Sequence, residues 1–334
     1  MKILIIRFSS IGDIVLCSPV LRCLRKRFPD AEIHFLTKKK FSGLLEFNPH
    51  INKIHGLEGS ISPMLRELKT ENFDLLIDLH SSLRSKFLSL MLGKPALAYQ
   101  KENFNKSLLV LFKKNRMSGR HVVDRYFDVV KPLGITNDFL GLEFYPCDCE
   151  IPGNDEIPPY IQAGQYAVFS IGGTHSTKRM PAAKWIEIAE KMPVPILIAG
   201  GREDISEAEK IESGGKSLGK SIFNACGKFS IGGSAHLVKN ASLVISHDTG
   251  LMHIASAFKK PVVCIWGNTV PAFGMWPYQT ANFNMEVSGL SCRPCSRIGF
   301  DQCPKKHFNC MNLQDTSQAG LWSFVLDALN PVTV

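Results

Sequence analysis

The segment from Leu243 to Ala255, Leu-Val-Ile-Ser-His-Asp-Thr-Gly-Leu-Met-His-Ile-Ala, constrains the fold more than any other stretch of the chain. An apolar run breaks on a short polar turn, and helical spacing begins at once. A strand that runs straight into a helix N-terminus is half of a parallel β-α unit. The turn collects Asp248, Thr249, Gly250 and His253. In an open α/β sheet such turns lie outside the carboxyl ends of the strands, where ligands bind. Gly250 lets backbone approach a ligand closely, and the free N–H groups of the helix start suit a phosphate. Thr249 and His253 add donors, and Asp248 can accept from a sugar or ribose hydroxyl. Taken alone, the turn is equally well explained by Asp248 or Thr249 serving only as a helix N-cap.

The same alternation runs through the chain. In the first half the predicted strands are 3–7, 32–36 and 74–79, with helical patterns over 14–28, 82–92 and 121–133. Between 146 and 165 the pattern fails on a cluster of prolines and glycines, which reads as a linker. A second series follows, with strands at 166–171, 194–199, 222–226, 243–247 and 262–266. Helical patterns near 181–191, 203–213, 232–240 and 250–258 separate them, and a last helix is expected over about 317–329. The fold class is therefore α/β: two Rossmann-like, doubly wound domains, with the cleft between them as the default binding site.

A chain of 334 residues has room for two such cores. The apolar start, Met1 to Ile6, ends in Arg7 and is too short for a signal peptide. No segment approaches the roughly 18 apolar residues that span a bilayer. A cytoplasmic protein is expected, and that compartment argues against disulfides among the ten cysteines. Cys17, Cys23, Cys226 and Cys264 fall within strand or helix patterns and read as small apolar residues. The net charge of +9 is uneven: residues 1–132 carry 23 Lys and Arg against 12 Asp and Glu, and the remainder 16 against 18. Such a basic first half suits a polyanionic partner, either nucleic acid, anionic lipid or a phosphorylated glycolipid, or it simply aids solubility.

Three further loops carry chemistry. The first, Ser9-Ser-Ile-Gly12-Asp13, joins the first strand to the first helix. Asp13 there is either a helix-starting charge favoured by the dipole or a general base that takes a proton from an acceptor hydroxyl. The dinucleotide fingerprint G-x-G-x-x-G is absent, which counts against a nicotinamide enzyme. The second, Gly172-Gly-Thr174-His-Ser-Thr-Lys178-Arg, places glycines, hydroxyls and Lys178 before a helix opened by Pro181 and suits a pyrophosphate. It does not meet the Walker A pattern. The third, Gly200-Gly-Arg-Glu203-Asp, offers Glu203 to ribose hydroxyls or merely starts a helix with acids. Finally Cys292, Cys295, Cys303 and Cys310 are spaced C-x2-C-x7-C-x6-C, with His307 between. The first pair suits a structural zinc, and the lack of a second C-x2-C leaves reduced thiols in a packed loop as the alternative.

The opening Lys2-Ile-Leu-Ile-Ile-Arg-Phe-Ser-Ser-Ile-Gly-Asp13, the Gly173-Thr174…Lys178 loop and Asp248-Thr-Gly-Leu-Met-His253 together resemble the heptosyltransferases, the inverting glycosyltransferases of family 9. The cysteine-rich loop resembles loops in some members that add the second heptose. The resemblance implies a GT-B fold with an acceptor-binding domain over 1–157, a nucleotide-sugar domain over 165–316 and a final helix over 317–334 crossing back to the first. It implies transfer of a heptose from ADP-L-glycero-D-manno-heptose to the inner core of lipopolysaccharide. By position, Asp13 matches the family's base, and Thr174 and Lys178 its phosphate contacts. Glu203 matches its ribose contact, Phe229 falls near its adenine contact, and Asp248, Thr249, Gly250 and His253 match its nucleotide-sugar turn. Ser9 and Gly12 accompany Asp13 in the first loop. Gly173 stands where some members carry a second threonine. No catalytic cofactor or metal is implied, and no Asp-x-Asp motif is present to hold one. The basic half would face phosphorylated glycolipid, in peripheral contact with the cytoplasmic leaflet. The alternatives are a GT-B enzyme using another sugar nucleotide, and a zinc-bearing nucleic-acid-binding protein, for which no recognised module is present.

Overall fold

The structure is a computed structural model that describes residues 1–330. The chain divides into two compact units: Met1–Glu102 with Arg120–Tyr145, and Asn103–Gly119 with everything from Pro146 on.

The first unit is built on five strands: β1 (Lys2–Ile6), β2 (Glu32–Lys38), β3 (Lys53–Leu57), β4 (Leu75–Asp78) and β5 (Ala96–Ala98). They pair in the order β3-β2-β1-β4-β5, all parallel. Ile3 to Ile6 are wholly buried, as parallel strands covered on both faces require. The helices are α1 (Ile11–Val15), α2 (Ser18–Arg27), α3 (Ile61–Thr70), α4 (Leu83–Leu92) and, after the excursion to the other unit, α6 (Val122–Val130). The single helix expected over 14–28 is two, because Pro19 in the first turn of α2 supplies no N–H and forces a new start after Cys17. Leu4, Ile6, Leu36, Leu68, Phe73 and Leu88 form one buried cluster beneath the sheet.

The second unit carries six strands: β6 (Ala167–Ser170), β7 (Ile196–Ala199), β8 (Ile222–Asn224), β9 (Leu243–His247), β10 (Val262–Trp266) and β11 (Asn282–Glu286). Their order is β11-β10-β9-β6-β7-β8, again parallel throughout. Helices α8 (Ala182–Lys191), α9 (Ile205–Ser217), α10 (Ile231–Asn240) and α11 (Gly250–Ala257) connect them. The short helices α7 (Pro159–Gln162) and α12 (Asn309–Asn312) flank the sheet in sequence. The last helix, α13 (Ala319–Leu329), sinks Leu321, Val325 and Leu329 into this unit's core beside Phe169, Trp185 and Ile245.

Two expectations need correcting. Residues 103–119, placed by sequence in the first domain, belong to the second unit. Helix α5 (Asn103–Phe112) leads there to Lys113, whose Nζ donates to the carbonyls of Cys292 (3.1 Å) and Pro294 (2.6 Å). Cysteines were expected to be reduced throughout, yet Cys147 and Cys149 are joined by a disulfide, their Cα atoms brought to 5.1 Å by the turn at 148–150. The other eight are free.

Candidate functional site

In a doubly wound sheet the crevice lies where strand order reverses. In the first unit that point is between β1 and β4, and in the second between β6 and β9. Both places gather the polar residues that the sequence offered.

After β1 comes Arg7, buried at 6% exposure and therefore in need of partners. Its Nη1 donates to the Leu79 carbonyl (2.6 Å), its Nε to the Ser9 carbonyl (3.0 Å), and its Nη2 pairs with Asp13 Oδ1 at 2.5 Å. The other Asp13 oxygen accepts from the Ser10 N–H and hydroxyl, both at 2.9 Å. Asp13 is the third residue of α1 and closes a capping box with Ser10, while Gly12 is buried in the same turn. Burial alone would raise the Asp13 carboxyl, but the Arg7 guanidinium and the Ser10 donors hold it down at about 2. It is thus ionised and fixed, one face on Arg7 and one on Ser10.

The neighbouring loop after β4 adds Asp78, Leu79 and His80. Asp78 Oδ1 accepts from the His80 and Ser81 N–H groups at 2.9 and 2.7 Å. The His80 ring lies 4.9 Å from that of Phe8, and burial, with Arg7 and Lys101 nearby, lowers it to about 3, so it is neutral at pH 7. Asp78 Oδ2, His80 Nδ1 and the Tyr126 hydroxyl are buried without a protein partner. Each such atom costs about 1–3 kcal/mol unless something else satisfies it. Three at the switch point of one sheet point to a bound polyhydroxylated or charged molecule.

In the second unit, β6 and β9 are neighbours, so the loops after them meet. Lys178 Nζ donates to Asp248 Oδ2 (2.6 Å) and to the Asp248 carbonyl (3.0 Å), using two of its three donors. Thr269 Oγ, from the loop after β10, donates to the same carboxylate oxygen at 3.0 Å. Burial pushes the Asp248 carboxyl up, and Lys178 and Thr269 overcome it, so the group stays ionised below its ordinary value. Thr249 stands as N-cap of α11, its Oγ 3.4 Å from that of Ser246, and Gly250 is the first helical residue. His253 is buried one turn on and faces Asp248 closely enough to favour its charged form. His247, wholly buried and lowered to about 4 by that burial, accepts the Met180 N–H at Nε2 (2.9 Å) and ties the loop after β6 to β9.

The loop after β7 closes this rim. Asp204 is buried, which raises its carboxyl, and it pairs with Arg179 Nη1 at 3.1 Å. Arg179 Nε also donates to the Gly173 carbonyl at 2.6 Å. At Gly200 the backbone leaves no room for a side chain: a Cβ would stand 2.9 Å from Asp204 Cβ and Oδ2 and from Cys226 Sγ. Thr174 and Glu203 are exposed, and Phe229 is half-buried against Gly233.

The structure therefore couples Lys178 directly to Asp248, which the sequence treated as separate contacts. It also adds Arg7, Thr269, His247 and Arg179. Arg7 was the most legible of these, since an arginine that closes an apolar buried strand must be paired. The four cysteines behave differently. Cys292 Sγ lies 3.8 Å from His307 Nε2, and burial and the neighbouring thiols raise Cys295 and Cys310. They do not form a set of ligand atoms all within 4.8 Å of one another; among the described residues only His34, His55 and Glu71 do.

A family model described as glycosyltransferase family 9 (heptosyltransferase) matches residues 61–306. Lipopolysaccharide heptosyltransferase 1 of Campylobacter coli is 26% identical over 295 residues, which cover 80% of this chain and 84% of that one. Among solved structures, a glycosyl transferase of family 9 from Veillonella parvula superposes with a TM-score of 0.69 at 24% identity, over 86% of each chain. The E. coli heptosyltransferase WaaC with ADP superposes with a TM-score of 0.63 at 20% identity, over 85% of this chain and 93% of that one.

Proposed function

The chain belongs to glycosyltransferase family 9, the heptosyltransferases, with the two-Rossmann GT-B fold, and from that premise we propose that it moves a heptose from ADP-L-glycero-D-manno-heptose to the inner core of lipopolysaccharide, inverting the anomeric centre. The observation that carries this reading is the pairing of Lys178 with Asp248 at the N-terminus of α11, at the switch point of the second sheet. The third Lys178 donor and the free amides of α11 take the diphosphate, and Asp248, held by Thr269 and Lys178, accepts from a donor-sugar hydroxyl. Thr174 and Glu203 are exposed on the same rim, for the phosphates and the ribose, with Phe229 on the adenine side. That WaaC was solved with ADP supports the nucleotide.

In the reaction the acceptor oxygen forms a bond to the anomeric carbon as the bond from that carbon to the diphosphate oxygen breaks. The acceptor proton passes to Asp13, and ADP leaves with the electron pair. A carboxylate at about 2 is a weak base. It therefore receives the proton late, once the attacking oxygen has become strongly acidic by bonding to carbon. The growing charge on the diphosphate is met by Lys178 and the α11 amides, so the reading assigns no step to a metal or cofactor. The unsatisfied Asp78, His80 and Tyr126 atoms, beside Asp13 on the first sheet, are assigned to the acceptor.

Contact with the inner membrane leaflet belongs to the same reading. Among the described residues no helix is long and apolar enough to cross a membrane. Helix α5, however, exposes Phe104, Leu111 and Phe112 at 73, 70 and 65%, and the exposed Lys114 and Arg116 follow. Apolar anchors beside cations suit an anionic lipid surface rather than nucleic acid.

Asp13→Ala tests the chemistry: transfer falls by at least ~10²-fold, the usual range for a proton-transfer residue, while ADP binding is unchanged. Transfer at a near-normal rate removes Asp13 as the base. In a panel of ADP, UDP and GDP, tighter UDP binding removes the donor. A secondary reading concerns the cysteine loop, where four thiols and His307 are a donor set that zinc accepts. Equal zinc content in the wild type and in a variant with all four cysteines changed to serine removes it.

A further inference from the structure

Within the first unit's sheet two histidines are buried side by side, their rings 5.1 Å apart and tilted by 42°. His34 on β2 and His55 on β3 point to the same side of the sheet, diagonally across the register. They are 0 and 1% exposed and pack edge-on against Phe73. His34 Nδ1 lies 3.0 Å from His55 Nε2. The outer nitrogens are both taken: His34 Nε2 meets Glu32 Oε1 at 2.8 Å, and His55 Nδ1 meets Glu67 Oε1 at 2.6 Å. Glu71 Oε2, at the end of α3, stands 4.0 Å from His34 Nδ1.

Counting protons exposes a deficit. The chain Glu32–His34–His55–Glu67 has three close contacts, and each needs one proton between its atoms. Two neutral imidazoles bring only two N–H groups. With the outer nitrogens protonated towards the carboxylates, His34 Nδ1 and His55 Nε2 present two lone pairs to each other. A cation must sit between them, either a proton or a metal ion.

We propose that His34 Nδ1, His55 Nε2 and Glu71 Oε2 form a structural binding site for a divalent transition-metal ion of the zinc class. Two observations select the metal over the proton. First, each histidine hands its other nitrogen to a carboxylate, the arrangement that orients metal-ligating imidazoles and raises their basicity. Second, a third anionic ligand already stands beside the gap. Tetrahedral zinc with bonds of about 2.0–2.1 Å needs its nitrogens roughly 3.3 Å apart, so the pair opens by a few tenths of an ångström. The opposing charges are Lys2, 2.9 Å from Glu71 Oε2 and 3.2 Å from Glu32 Oε1, and Lys53, 2.5 Å from Glu71 Oε1. Both ammoniums reach solvent, and Lys2 swings away when Glu71 Oε2 turns to the ion. The half-exposed Glu32 and Glu67 mark the way in.

The full chain with Cys292, Cys295, Cys303 and Cys310 all changed to serine is titrated with Zn²⁺ and, separately, with Co²⁺. Expected is one ion per chain, a cobalt spectrum without thiolate charge transfer, and a rise in the thermal midpoint on adding Zn²⁺. Binding is lost in His34→Gln and in His55→Gln. The surface variants Glu32→Gln and Glu67→Gln, which leave the core intact, weaken it by about 10–100-fold. Far-UV circular dichroism and the urea unfolding transition of the first unit check that each variant is folded. No stoichiometric Zn²⁺ binding, or binding that survives in both histidine variants, overturns the metal and leaves a shared proton in the gap.

Discussion

Replacing Arg7 by methionine isolates what the guanidinium does for Asp13. In the folded protein the Asp13 carboxyl is depressed from 3.8 to about 2, which corresponds to about 2.5 kcal/mol at ~1.36 kcal/mol per pH unit. Because the folded value is the lower one, this stabilisation is complete above the unfolded value. It is lost as pH falls through 3.8 towards 2. Without Arg7 the largest lowering influence is gone, and burial, opposed now only by the Ser10 donors, raises the carboxyl from about 2. The wild-type kcat/KM should therefore be flat on its acid side down to pH ~4, and the acid limb of Arg7→Met should lie at higher pH than that of the wild type. The variant also leaves a buried carboxylate with half its partners, a loss of about 3–5 kcal/mol for a broken buried pair. Asp13→Asn added to Arg7→Met should recover part of it, since the uncompensated charge is gone. All four tryptophans, Trp185, Trp266, Trp276 and Trp322, belong to the second unit, so urea unfolding must be followed by far-UV circular dichroism. An Arg7→Met profile that superposes on the wild type, or a double variant less stable than the single, would refute the reasoning.

Two shorter predictions address the second unit. Gly200→Ala forces a methyl against Asp204 and Cys226, displacing the loop that Arg179 braces; ADP affinity by calorimetry should fall by at least tenfold with little change in the affinity of an acceptor analogue. Changing Phe104, Leu111 and Phe112 together to serine should abolish sedimentation with vesicles containing anionic lipid while transfer to a soluble acceptor persists. Undiminished sedimentation assigns the lipid contact elsewhere.

The parts of the fold legible in sequence were those with the strongest local periodicity. Strands β9 and β10 lie at their predicted bounds because every residue in them is buried and all but His247 are apolar or small. Strands β3, β5 and β11 were missed, and all three are sheet edges: Lys53, Ala96, Ala98, Asn284 and Glu286 face solvent, so no unbroken apolar run marks them. The candidate loops were found because each follows a buried strand and opens a helix. Their pairings were not. Lys178 meets Asp248 only because β6 lies beside β9, and strand order is a property of the whole sheet that no window of residues encodes. The first-unit histidines escaped for the same reason, since His34 and His55 are brought together by strand pairing across 21 positions.

The excursion of residues 103–119 has a consequence for synthesis. The chain passes from one unit to the other at 102, returns at 119 and leaves again at 145. Lys113 finds its carbonyl partners on Cys292 and Pro294, 179 and 181 residues further on. At about 5–20 residues per second a ribosome needs on the order of 10–40 seconds to deliver them. Throughout that interval α5 has emerged, with its phenylalanines and leucines, next to a first unit that can already close around Arg120–Tyr145. Until then α5 lacks the anchor that Lys113 provides, and the rate of elongation sets how long the helix stays untethered, its Phe104, Leu111 and Phe112 being exposed before and after.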